Sequence, residues 1–305
     1  MTDSSPIALV TGGNAGIGFE TCKGLVAAGY HVIVGARSQQ KANKACTALL
    51  EGSPAGSAEP LLLDLASLDS VRAAAKAFRA SGRPLHVCIL NAGIMALPWS
   101  QTDDGFEQQW QVNVLGHFLL CRLLLPALED AEEPTGRIIH VASGAHLLHP
   151  QPVDYELLAK EHTSDEDYDE WRAYGRSKLA NILLSNELAR RLMDRSSDVT
   201  SNALHPGNVD TELWAKAGRK NESGISPAEG AETSLHLALS DDVDGHTGRY
   251  LFQCRPVTRI YREEEMADAD YVTKSASRSE ISSSEAEAKK MWAVASKDVG
   301  LPDDL

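Results

Sequence analysis

Apolar residues in this chain fall into short runs that alternate with helical patterns. Ile7-Ala8-Leu9-Val10 is the first run and His31-Val32-Ile33-Val34-Gly35 the second; Pro60–Leu63, Leu85–Leu90, Gly136–Ala142, Val199–Leu204 and Gly248–Phe252 follow. The run at Leu85–Leu90 is nearly continuous rather than alternating, as in a strand covered on both faces. Helical patterns lie between the runs. They cover Ile17 to Ala28, Ser38 to Leu50, a segment capped by Ser67 and ending at Ala80, Gly105 to Leu128 with a stop near Pro126, Tyr174 to Leu192, and Glu229 to Leu239. A closing helix is expected over Ala286 to Val299, carrying Met291, Trp292 and Val294. Repeated strand–helix units predict the α/β class, a doubly wound parallel sheet with right-handed crossovers and about seven strands in the order 3-2-1-4-5-6-7.

The alternation breaks twice. His149 to Trp171 is polar and acidic, with the run Asp165-Glu166-Asp167. Ser275 to Glu287 is rich in serine and charge, and is expected to be mobile or at best the start of a helix. Glu263-Glu264-Glu265, just before it, reads as a solvated surface.

Composition narrows the classes. The 305 residues are 43% hydrophobic, enough for a sizeable core, and carry a formal net charge of -14. That balance argues against a nucleic-acid surface and against docking on anionic lipid. Five cysteines, odd in number and without a C-x-x-C pair, read as buried free thiols in a reducing compartment. The first strand begins within six residues of Met1, leaving no room for a signal peptide, so a cytoplasmic location is expected. The richest apolar run, Val112 to Leu128, is interrupted by Asn113, His117, Arg122 and Pro126, and no membrane span is expected. His140, His146, His149 and His205 lack ligand spacing, and no metal is expected.

Candidate chemistry begins at Thr11-Gly12-Gly13-Asn14-Ala15-Gly16-Ile17-Gly18, between the first strand and the first helix. Glycines there permit a tight turn and let a pyrophosphate approach bare backbone, with a helix N-terminus aimed at it. The spacing is G-x-x-x-G-x-G. The second strand ends Gly35-Ala36-Arg37-Ser38-Gln39-Gln40-Lys41 without the acid that would bind a ribose 2′-hydroxyl. Arg37 is placed to grip a 2′-phosphate and Lys41 to add a point charge, which favours NADP(H) over NAD(H). Tyr174 and Lys178, four apart on a helix, share a face. A neighbouring ammonium would lower the phenol's pKa towards a value useful for proton transfer. Ser143 lies just past the fifth strand, and Asn91-Ala92-Gly93 just past the fourth, at the carboxyl edge where such sheets bind ligands.

As an ordered set, Thr11 to Gly18, Asp64, Asn91-Ala92-Gly93, Asn113, Ser143, Tyr174 to Lys178 and Pro206-Gly207 resembles the short-chain dehydrogenase/reductase family over about Ile7 to Phe252. Leu63 to Val71, Ser177 to Leu183 and His205-Pro206-Gly207 resemble its retinol-dehydrogenase-like branch, which includes the WW-domain-containing oxidoreductase. The resemblance implies a Rossmann-type fold with a unit at 1–255 and an insertion at about 146–172 beside the substrate; a lid at about 205–230 faced by Leu213 and Trp214 is expected, and the acidic extension at 256–305 is a departure from the branch, longer and more acidic over Arg255 to Glu285. It implies NADP(H) as cofactor and a small carbonyl or alcohol as substrate, with a homodimer through the helices at 105–128 and 174–192. Tyr174 would be the general acid or base, Lys178 would lower its pKa and bind ribose, Ser143 would hold the substrate oxygen, and Asn113 would support a water relay to Lys178. Gly12, Asn14, Gly16, Ile17, Gly18, Arg37, Lys41, Asp64, Leu65, Asn91, Ala92, Gly93, Pro206, Gly207, Val209 and Thr211 would hold the cofactor with Tyr174 and Lys178. Two other readings share these motifs: a non-catalytic NADP(H)-binding sensor or scaffold, and a C=C reductase, dehydratase or epimerase.

Overall fold

The computed structural model describes residues 5–52, 54–148, 153, 168–262, 264 and 270–305. Strand β1 (Ile7–Thr11) is buried along its whole length. Its side chains alternate across the sheet. Ile7 and Leu9 belong to one apolar cluster, and Ala8 and Val10 to another. The first cluster takes in α3 (Leu68–Ala80), α4 (Gln108–Glu129), α5 (Glu170–Asp194) and α9 (Glu285–Asp298); the second takes in α1 (Gly16–Ala27), α2 (Gln39–Leu49) and α7 (Pro227–Leu239). The sheet is therefore covered on both faces.

The sheet continues through β2 (His31–Ala36), β3 (Ser57–Leu62), β4 (Val87–Leu90), β5 (Arg137–Val141), β6 (Thr200–His205), β7 (Tyr250–Phe252) and β8 (Arg255–Pro256). Its order is β3-β2-β1-β4-β5-β6-β7-β8. The first seven run parallel in the expected order, and β8 adds an antiparallel edge to β7. Leu9 pairs with Ile33 on one side and with Cys88 on the other, so the direction of winding reverses between β1 and β4. A crevice is expected there, outside the carboxyl ends of the strands.

Several boundaries differ from the sequence reading. The third strand starts at Ser57 rather than Pro60, because the earlier residues pair with β2 although none of them is buried. Pro60 is accommodated because β3 is an edge strand. The fourth helix passes Pro126 and ends at Glu129. By length and composition α4 could cross a membrane, but 78% of its apolar window is buried inside the protein. The fifth helix starts at Glu170 rather than Tyr174, because the Asp169 carboxylate caps it by accepting the Trp171 and Arg172 N–H groups. Of the stretch 149–171, residues 149–152 and 154–167 lie outside the described residues, as do Asp165-Glu166-Asp167, Glu263 and Glu265.

Most of Ser275 to Glu287 has defined structure, contrary to the expectation of mobility. Short helix α6 (Glu212–Lys216) precedes α7, and short helix α8 (Tyr271–Ser275) leads into β10 (Ser277–Arg278), which pairs in parallel with β9 (Arg259–Ile260). Ser275, Ser277, Ser279 and Ser282 are buried. Ser284 then caps α9 by accepting the Glu287 N–H. On α9, Trp292 is 1% exposed, and its ring meets Phe118 of α4 edge-on at 4.9 Å. Arg122 and Arg191 lie over that ring at 4.9 and 4.6 Å. The residues of α4 and α5 that face outward here are thus covered by the chain's own C-terminus.

Candidate active site

The carboxyl edge of the sheet is tied together by Thr11. Its hydroxyl oxygen accepts the Asn91 and Ala92 N–H groups, both at 2.9 Å. The Asn91 side-chain amide donates to the Thr11 carbonyl at 2.9 Å. These bonds close the gap between β1 and β4 where the winding reverses. His117 supports them: its Nδ1 lies 3.1 Å from the Asn113 carbonyl, which can only accept, and its Nε2 lies 2.8 Å from the Thr11 hydroxyl. The imidazole is therefore the Nδ1–H tautomer and takes the Thr11 proton at Nε2. Burial pulls its pKa down to about 3, so it stays neutral.

The glycine turn is closely packed. A Cβ at Gly18 would fall 2.4 Å from the Gly12 carbonyl oxygen, and one at Gly12 would lie 3.0 Å from the Ala92 Cα. Gly16 has φ +54°, in the left-handed region that favours glycine. Helix α1 then begins with no side-chain cap and no acid in its first turn. Its first N–H groups and its dipole are left for an anion.

A cavity of about 1040 Å³ runs from this turn along the sheet edge. Every cofactor candidate named from the sequence lines it: Gly12, Asn14, Gly16, Ile17 and Gly18; Arg37 and Lys41; Asp64 and Leu65; Asn91, Ala92 and Gly93; Tyr174 and Lys178; Pro206, Gly207, Val209 and Thr211. Arg37 and Lys41 are exposed at its rim. Asp64 sits at the end of the β3 unit, where its carboxylate accepts the Ala66 N–H at 3.0 Å. An uncapped helix start, a turn with no room for side chains and a rim of two cations fit the nicotinamide dinucleotide that the resemblance implies.

Ser143, Tyr174 and Lys178 line the same cavity. The Ser143 hydroxyl lies close enough to the Tyr174 phenol to favour its ionised form. Lys178 donates to the Val141 carbonyl at 2.9 Å and lies 5.6 Å from the centre of the Tyr174 ring. The expected lowering of the Tyr174 pKa by Lys178 does not occur in this geometry. Burial pushes the phenol up to about 12, against the smaller lowering from Ser143, and pulls Lys178 down to about 8. Lys178 is not among the groups that shift the phenol; its ammonium is held by the Val141 carbonyl.

Asn113 does not line the cavity. It is fully buried in a π-helical turn of α4, Gln111–Leu115. Its amide donates to the Ile94 carbonyl at 3.0 Å and to the Ser177 hydroxyl at 2.9 Å, and its Oδ1 accepts the Ile94 N–H at 2.9 Å. A Cβ placed on Gly93 would lie 3.3 Å from Asn113 Oδ1 and 3.6 Å from Lys178 Nζ, so the two residues converge behind Gly93.

The other end of the cavity is apolar and aromatic. Met95, Ala96 and Tyr174 pack with Ala145, Trp171, Leu213, Trp214 and Ala217. Trp171 and Trp214 are 5.9 Å apart between ring centres, and the Trp214 Nε1–H donates to the Val209 carbonyl at 3.1 Å. Leu213 and Trp214 thus stand on the cavity wall. Sequence reasoning missed Trp171, Tyr261 and Tyr271, which also line it. Trp171 was hidden in a polar stretch, and Tyr271 lies in a segment without apolar periodicity. Among the four histidines singled out, His146 and His205 have both ring nitrogens engaged, His140 is buried, and His149 lies outside the described residues.

Known proteins agree with this architecture. The short chain dehydrogenase family model matches residues 6–153. Human polyprenol dehydrogenase is 37% identical over 257 residues, covering 81% of this chain and 76% of its own. The human WW domain-containing oxidoreductase is 41% identical over 264 residues; the match covers 81% of this chain but only 61% of that longer protein. An uncharacterised Mycobacterium paratuberculosis protein of known crystal structure superposes with a TM-score of 0.73 at 30% identity, covering 99% of this chain and 98% of its own. Fold, motif order and these relatives together show that the chain belongs to the short-chain dehydrogenase/reductase family of oxidoreductases.

Proposed function

We propose that this protein interconverts an aldehyde or ketone and the corresponding alcohol using NADP(H), with Tyr174 as the general acid/base. One observation carries the reading: Ser143, Tyr174 and Lys178 share a single cavity with the uncapped N-terminus of α1. A bound nicotinamide would supply hydride to the carbonyl carbon, or accept it in reverse. In reduction the Ser143 hydroxyl holds the carbonyl oxygen. Tyr174, kept neutral at pH 7 by burial, donates its proton to that oxygen. Lys178 is largely protonated at pH 7, so its ammonium would be available to the ribose hydroxyls of the cofactor and to a proton relay. Asn113 fixes the turn beside Lys178, where a water relay would restore the proton.

Arg37 supports NADP(H), since it directly follows β2 where an NAD site would carry an acid, and Lys41 stands nearby on α2. Ile94, Met95, Leu97 and Trp214 suit a substrate with an apolar body. A reducing, cytoplasmic setting suits five free cysteines.

Cinnamaldehyde offers both a C=O and a C=C bond and so separates the readings. Incubation with NADPH is expected to yield cinnamyl alcohol. Hydrocinnamaldehyde as the product would identify a C=C reductase instead, and tight NADPH binding without turnover of any carbonyl would favour a sensor.

A further inference from the structure

Two buried histidines outside the proposed machinery peg the C-terminal segment to both sides of the reacting centre. His146 Nε2 accepts the Ser279 N–H at 3.2 Å, so its Nδ1 carries the proton and donates to the Ser143 carbonyl at 2.7 Å. His205 Nδ1 accepts the Gly207 N–H at 3.4 Å, so its Nε2–H donates to the Tyr271 hydroxyl at 2.9 Å. The His205 ring is also stacked on Phe252, 5.2 Å between centres. Burial holds His146 at about 4 and His205 at about 3, so both remain neutral and keep these tautomers at physiological pH. The pegs locate α8 and β10 over the same cavity wall that carries Ser143 and Tyr174.

Tyr271 is the side chain this arrangement delivers. It lines the cavity and is 48% exposed. It is near enough to Tyr174 to bear on that phenol's ionisation. Its oxygen accepts from the His205 Nε2–H. With the His205 donor on the oxygen, the Tyr271 proton turns away from that ring and can be given towards the cavity. Nothing in the proposed hydride and proton transfer uses it.

We propose that Tyr271 is a substrate-positioning residue, donating a hydrogen bond to an oxygen adjacent to the reacting carbonyl, so that the site favours vicinal dicarbonyl and α-hydroxycarbonyl compounds with apolar bodies. The proposal rests on the carbonyl-reductase reading for its meaning, but its test does not require turnover. Benzil has two adjacent carbonyls; deoxybenzoin has the same aryl groups and one carbonyl. Calorimetric titration of each into the protein–NADP+ complex measures affinity alone. The wild type should bind benzil up to about tenfold more tightly than deoxybenzoin, the value of one neutral hydrogen bond. Tyr271→Phe should abolish that preference and leave deoxybenzoin affinity unchanged. Ser275→Ala, which keeps the phenol, should retain a preference for benzil. Equal weakening of both ligands in Tyr271→Phe would show a merely structural role and overturn the proposal. So would a wild type that does not favour benzil, or one that binds neither probe. Failure of the carbonyl-reductase reading would show separately, in the cinnamaldehyde products.

Discussion

At the scale of single residues, the balance between dehydration and charge decides what each group can do. Tyr174 is pushed up rather than down because its hydroxyl is buried and the opposing effect of the neutral Ser143 hydroxyl is smaller. A phenol near 12 is in the protonated form required for reduction at neutral pH, and makes oxidation by the same group the harder direction. Arg37 is the opposite case, an exposed cation at the cavity rim with no hydrogen bond or ion pair among the described residues. Its cost is borne by solvent, and its value depends on what it meets. Arg37→Ala should weaken NADPH binding by roughly tenfold to a hundredfold, as expected for losing a charge-assisted contact, while NADH binding stays within about twofold. Fluorescence titration of both cofactors checks this; equal loss for the two would remove the argument for a 2′-phosphate site.

At the scale of elements, what the sequence reveals depends on how each element is stabilised. The buried strands and amphipathic helices announced themselves by period, and the glycine turn by spacing. The start of α5 did not, because it is set by the Asp169 cap rather than by apolar residues. Strand β3 extended backwards through Ser57-Ala58-Glu59, which pair by backbone while none of the three is buried. The segment around α8 and β10 misled most. Its serines resemble solvent-exposed linker, yet they are buried: the Ser277 hydroxyl donates to the Thr273 carbonyl and the Ser282 hydroxyl to the Ser279 carbonyl, while Ser279 is held by its backbone N–H on His146. Polar residues in a core are hydrogen-bonded, and single-residue hydropathy does not see the partner. Helix α9 was legible from Met291 and Trp292, but not where it docks. Trp292→Ala would remove the ring that Phe118, Arg122 and Arg191 cover, and the Nε1–H bond to the Asp303 carbonyl at 2.7 Å. A loss of about 3–5 kcal/mol is expected in chemical denaturation, with the denaturant slope unchanged.

At the scale of the whole molecule, one sheet edge collects parts from nearly the entire chain. The turn after β1, Arg37 after β2, Asp64 after β3, Asn91 after β4, Ser143 after β5 and Gly207 after β6 all open onto one cavity because six parallel strands end on the same side. Parallel topology therefore explains why motifs scattered from residue 12 to residue 207 were recognisable as one site. It does not explain the substrate wall, which depends on how α8 and β10 fold back, and that was not legible. The C-terminus also binds the outward faces of α4 and α5, with Arg122 donating to the Pro302 and Asp304 carbonyls and Asn186 to the Ser282 carbonyl. Those are the helices through which a homodimer was expected, and part of their surface is taken by the chain's own C-terminus. The central claim is that this assembled edge performs proton-coupled carbonyl reduction through Tyr174. It is tested most directly by NADPH consumption over a panel of aldehydes and ketones, comparing wild type with Tyr174→Phe after both are shown to bind NADPH equally. Turnover by the wild type, reduced at least about a hundredfold in the variant, is the predicted result. Equal turnover by the two proteins would contradict the account.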